Sequence, residues 1–175
     1  EFLKDAQRLF GRFNREIKSR ISKLSKREYF VINLPTVIGV ILISIGYTSG
    51  DKTKNNLETF KFLGSIKSNI LIREYLKKAF NDDGYVGERC IGLAQASLIK
   101  DKEKPANILI LDKILLEKLG IKVHGPMLRK RYQNRHGLCS VYGISISSKK
   151  EIKKFYDNIR LTDYKQKKIE SYLFN

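Results

Sequence analysis

Apolar positions recur along this chain with two different spacings, and the spacing changes at identifiable points. Ala6, Phe10, Phe13, Ile17 and Ile21 follow one another in steps of three and four with Arg and Lys between them. That is one face of a helix, predicted over residues 2–23. Residues 29–34 (YFVINL) are β-branched and aromatic, the composition of a strand. Pro35 and Thr36 then open an apolar run over residues 37–47, which predicts a buried core helix ending at Gly46. The run is about half as long as a membrane-spanning helix needs to be. Residues 48–57 are polar and loop-like, and Ser65 or Ser68 can cap a helix running through Phe80.

Beyond Gly84 come two strand-like stretches, 85–88 and 89–97, and a charged loop, 99–104. Pro105 suits the first turn of a helix that reaches Leu119, with Gly120 as its stop. Strands over 121–132 and 137–147 follow, then helices over 149–159 and 163–173. From residue 70 onward the predicted order is helix, two strands, helix, two strands, helix, helix, an α+β arrangement. An internal repeat also shows: residues 29–34 match residues 142–147, each a strand entering a helix, and Lys52 and Lys54 then fall opposite Lys165 and Lys167. In this matching the helix of residues 2–23 takes the place of the helix of residues 105–119. The first unit would then lack its opening helix and first hairpin.

Charge narrows the range of partners. The 175 residues include 35 Lys and Arg against 18 Asp and Glu, a formal net charge of +17. An excess of that size points to a polyanion, with nucleic acid foremost. A hydrophobic content of 42% excludes wholesale disorder. Cys90 and Cys139 have no metal-type spacing, which fits a reducing, intracellular setting rather than a disulfide scaffold. His124 and His136 have no ligand-spaced neighbours, so zinc is not indicated.

One segment carries candidate chemistry. An apolar helix runs into Asp82, Asp83 and Gly84 and turns directly into a strand. Acids at a helix C-terminus face the negative end of the helix dipole, at a cost of roughly 0.3–1 kcal/mol each. Something should compensate, and a divalent cation held by oxygen ligands is one answer. The plainer alternative is an Asp-Gly turn with Gly84 in the left-handed conformation.

With these residues in hand, the chain resembles the LAGLIDADG family of homing endonucleases in its two-repeat, archaeal style. Residues 76–84 (LKKAFNDDG) line up with the nine-residue motif, residues 91–97 (IGLAQAS) with its core strand, and residues 163–168 (DYKQKK) with the segment that presents a pocket lysine. The motif's small third residue, which lets two such helices pack closely, is Lys78 here. The resemblance implies an αββαββα saddle: one complete repeat over about 68–175, preceded by the C-terminal part of another. The corresponding domains are residues 1–64 and 65–175. The first motif helix would lie before Glu1 or come from a second chain.

The resemblance further implies sequence-specific binding of double-stranded DNA in the major groove and Mg²⁺-dependent phosphodiester cleavage. Asp83 inherits the metal-binding role, and Lys165 and Lys52 the stabilisation of charge near the phosphate. Arg89, Gln95, Arg129, Lys130, Arg131, Arg135 and His136 are the expected DNA-contacting residues, since Arg and Gln can read base edges and cations hold phosphates. Two other functions fit the same scaffold: a regulator that binds DNA without cutting it, and an RNA-splicing maturase.

Overall fold

The structure, a computed structural model, describes residues 17–21, 28–32, 36, 37, 40, 64–99 and 103–174. The chain divides into two compact units, Glu1–Tyr47 and Thr48–Asn175. In the first unit, strands β1 (Ile17–Ile21) and β2 (Glu28–Ile32) form an antiparallel pair with Ile17 opposite Ile32 and Ile21 opposite Glu28. The expected strand over 29–34 is present at β2. The expected helix over 2–23 is overturned at residues 17–21, where cross-strand pairing with 28–32 wins over local helical spacing. Thr36, Val37 and Val40 are helical as expected. The two valines are exposed rather than buried.

The second unit follows the predicted order closely: α1 (Asn69–Asp82), β3 (Gly84–Val86), β4 (Ile91–Leu98), α2 (Asn107–Lys118), β5 (His124–Asn134), β6 (Gly137–Ile146), α3 (Lys149–Asn158) and α4 (Asp163–Phe174). The fold is α+β, with a four-stranded antiparallel sheet in the order β3-β4-β6-β5. Local signals set the element ends. Ser148 caps α3 by accepting the Glu151 N–H at 3.2 Å, and α2 stops one residue before Leu119–Gly120, as the glycine predicts.

One sheet face packs under the helices. Ile91 lies opposite Ile146 and Leu93 opposite Ile144, all four fully buried. Helix α1 adds Ile72, Leu76 and Phe80, spaced by one turn, so a single stripe faces the sheet. The Phe80 ring meets Phe155 of α3 at a centroid distance of 4.8 Å, tilted by 59°. Burying each such side chain contributes about 1.5–3 kcal/mol, and this core fixes where α1 ends. The opposite face of β4 carries Gly92, Ala94 and Ala96, which leaves that side of the sheet shallow. Among the described residues, no helix is long and apolar enough to cross a membrane.

Candidate nucleic-acid interface

The tip of α1 is built by capping from distant residues. Asp83 is the C-cap, with its N–H bonded to the Ala79 carbonyl at 2.9 Å. Lys165 of α4 donates to three carbonyls of that tip: Phe80 at 2.8 Å, Asn81 at 2.9 Å and Gly84 at 2.6 Å. Thr162 donates to the Asn81 side chain through both its N–H and its hydroxyl, and Lys168 reaches the Val86 carbonyl at 3.1 Å. Burial lowers the Lys165 pKa, while Asp82 and Asp83 pull the other way. Lys78 pairs with Asp82 at 2.7 Å, one turn along the helix.

These contacts answer the electrostatic question raised by the sequence. The negative charge gathered at this helix end is met by two lysines of the protein itself, which removes the need for a metal on that ground alone. Gly84 is not in the left-handed conformation; a Cβ there would lie 2.5 Å from the Phe80 carbonyl oxygen, so the glycine is required by close approach of backbone to backbone. All three ammonium protons of Lys165 are engaged, and in this arrangement it positions the helix tip. Lys165→Met should therefore destabilise the fold by about 1–2 kcal/mol, read as a lowered midpoint in urea unfolding. An unchanged midpoint would mean the three carbonyls are held some other way.

Asp83 itself is exposed and accepts a hydrogen bond on Oδ2 from Gln95 Nε2 at 3.1 Å. Behind it, at the α1–α2 contact, the Tyr75 hydroxyl donates to Asp112 Oδ1 at 2.8 Å. Asp112 is 3% exposed. Burial first, and the charge of Asp83 in addition, raises its carboxyl to about 7 against the pull of the Tyr75 bond. Burial, then the Asp112 charge, drives the Tyr75 phenol well above its ordinary value. Sequence reasoning missed Asp112, yet a signal existed: it stands three residues from Leu109 and Leu115 and four from Leu116, on the buried stripe of α2.

The remaining expected contact residues spread over the sheet and its edge. Arg129 sits where the β5–β6 register shifts between Leu128 and Lys130, the position of a β-bulge. Its Nη2 lies 3.5 Å from the Tyr85 hydroxyl. Lys130 stands over the Tyr132 ring at 5.7 Å. Arg135 Nε donates to His136 Nε2 at 2.9 Å in the β5–β6 turn, and Arg89 is exposed between β3 and β4.

Arg131 is different. It pairs across to Ser140 on the helix-covered side and holds Glu103 through two bonds of 2.8 Å. That pairing holds the Glu103 carboxyl below its usual range. The structure thus brings Asp83 to Gln95 and Arg129 to Tyr85, while Arg131 is neutralised on the other face. Lys52 lies outside the described residues.

Among the described residues, no group of three or more His, Cys, Asp or Glu side chains gathers as a ready-made metal cage. A lone exposed carboxylate with one free oxygen still fits Mg²⁺ as a single ligand, since that ion keeps several waters and takes one or two carboxylates plus substrate phosphates. No protein-family model matches this chain, and no curated protein matches it.

Proposed function

We propose that this chain is an intracellular double-stranded-DNA-binding protein of LAGLIDADG-like saddle architecture that cleaves phosphodiester bonds with Mg²⁺. The observation that carries the reading is Asp83, an exposed acid at the tip of a helix that turns straight into a sheet whose edge strand bears Arg129 and Lys130 and leads into a turn bearing Arg135. The repeat has support in the first unit as well. Matched residue by residue, β1 falls on the end of β5 and β2 on the middle of β6, and helical residues follow β2 as α3 follows β6. Residues 65–175 then form the complete repeat and residues 1–64 the end of its predecessor.

Asp83 would hold the Mg²⁺, which when bound supplies charge neutralisation at the scissile phosphate and a more acidic bound water. The chain's own groups do the rest. Gln95 orients the carboxylate of the exposed Asp83 through Oδ2. Lys165 ties down the carbonyls beneath it and offsets their charge, so the acid stands on a fixed support. Arg89, Lys130 and Arg135 meet the phosphate backbone, where each contact releases counterions.

Duplex binding tests this reading. Affinity should fall steeply as salt rises, and Lys130→Ala should weaken binding and reduce the slope of log K against log salt by about 1. Folded RNA should compete poorly; efficient competition by RNA would favour the maturase reading. Failure to bind duplex at low salt would sink the proposal.

A non-cutting regulator on the same scaffold is the second reading. It is favoured by Lys78 at the motif's small position and by the full engagement of the Lys165 ammonium.

A further inference from the structure

The open face of the sheet holds one built feature that the duplex-binding reading does not itself require. Gly143 of β6 and Gly92 of β4 lie on that face as diagonal neighbours, since Gly143 pairs with Ala94 and Gly92 with Ser145. Each supports a planar group. A Cβ on Gly143 would stand 2.8 Å from Arg129 Nε and 3.3 Å from its Cγ, so the Arg129 side chain lies against bare backbone. A Cβ on Gly92 would stand 2.5 Å from the Tyr85 hydroxyl and 2.6 Å from the ring carbon that bears it. The two groups meet over this floor, with Arg129 Nη2 at 3.5 Å from the Tyr85 oxygen. The β-bulge supplies the aim, because an extra residue in a strand turns its side chain away from the alternation of its neighbours.

A cation that only holds phosphate gains nothing from such seating. Phosphate is met equally well by a flexible lysine acting as a point charge. Seating matters when the planar fork of a guanidinium must present two parallel N–H groups, as in bidentate contact with O6 and N7 of guanine. With Nη2 engaged by Tyr85, Arg129 is exposed and its guanidinium still carries further N–H donors.

Resting on the duplex-binding reading, we propose that Arg129 is a guanine-reading residue of this face and that Tyr85 is its positioning residue. Gly143 is a glycine because the Arg129 side chain lies flat on it, while at Gly92 the Ile144 carbonyl oxygen, 2.4 Å from where a Cβ would stand, excludes a side chain together with Tyr85.

Selection from a randomised duplex pool with the full chain tests this. The wild type should enrich a motif with at least one fixed G·C position. Gly143→Ala keeps every charge and displaces only the guanidinium, so it should leave the salt slope unchanged and erase preference at that one position. Tyr85→Phe keeps the ring and removes the hydroxyl; it should weaken the same preference, and Arg129→Lys should abolish it. Thermal melts of each variant verify folding. Should all three variants enrich the wild-type motif unchanged, the inference fails while duplex binding stands. Uniform weakening with no position altered also overturns it, by making Arg129 a phosphate contact. A wild type that enriches no motif overturns both the inference and sequence-specific recognition.

Discussion

Asp83→Asn should abolish metal-dependent nicking of plasmid DNA, by at least about 10²–10³-fold, while leaving duplex affinity within about twofold of wild type. The substitution is nearly isosteric, and the amide oxygen of Asn can accept the Gln95 bond that Asp83 Oδ2 accepts. Lys165 grips backbone carbonyls rather than the side chain at 83, so the helix tip keeps its shape. Removing a negative charge from a helix C-terminus should raise stability slightly, by roughly 0.3–1 kcal/mol. A variant that is more stable yet inactive has the signature of a residue kept for function rather than for folding. Full nicking activity in the variant, or none in the wild type, would refute the nuclease reading and leave the regulator.

The second large effect concerns Asp112. Its folded pKa of about 7 lies well above the ordinary aspartate value of 3.8. Between those two values the native state holds a proton that the unfolded state has lost, so stability must fall as pH rises through that window. The loss reaches on the order of 4 kcal/mol above pH 7, at 1.36 kcal/mol per unit. Asp112→Asn keeps an acceptor for the Tyr75 hydroxyl and removes the titration. Its unfolding free energy should match wild type near pH 4 and exceed it by a few kcal/mol at pH 8. Parallel stability curves for the two proteins would show that the carboxyl titrates normally. Since the Asp83 charge contributes to the raised pKa, Asp83→Asn should make the wild-type fall smaller and end it at lower pH.

Much of the second unit is legible in the residues because period and punctuation agree there. Pro105 and Gly120 mark helix ends that the structure reproduces within a residue or two, and Ile91 and Leu93 alternate with glycine and alanine as a half-covered strand must. Residues 17–21 misled for a physical reason. Ile17 and Ile21 are four apart, a spacing that is both one helical turn and two strand repeats. Only pairing with residues 28–32 decides between them, and that contact is not local.

The site was partly legible. Acid and glycine at a helix end located Asp83, but the compensating charge was assigned to a metal because nothing in a linear reading connects Lys165 to carbonyls 81 to 85 residues upstream. Arg131 looked like its neighbours, and its bond to Glu103 depends on which face a bulged strand presents.

That long reach between α4 and the tip of α1 orders events on the ribosome. A nascent chain carries its acid well before residues 162–168 emerge to clasp the carbonyls around it. The tip takes its final form only once that late segment has cleared the exit tunnel. Translation products stopped short of it would hold the carboxylate on an unsecured turn, and any cutting ability would be withheld from incomplete molecules.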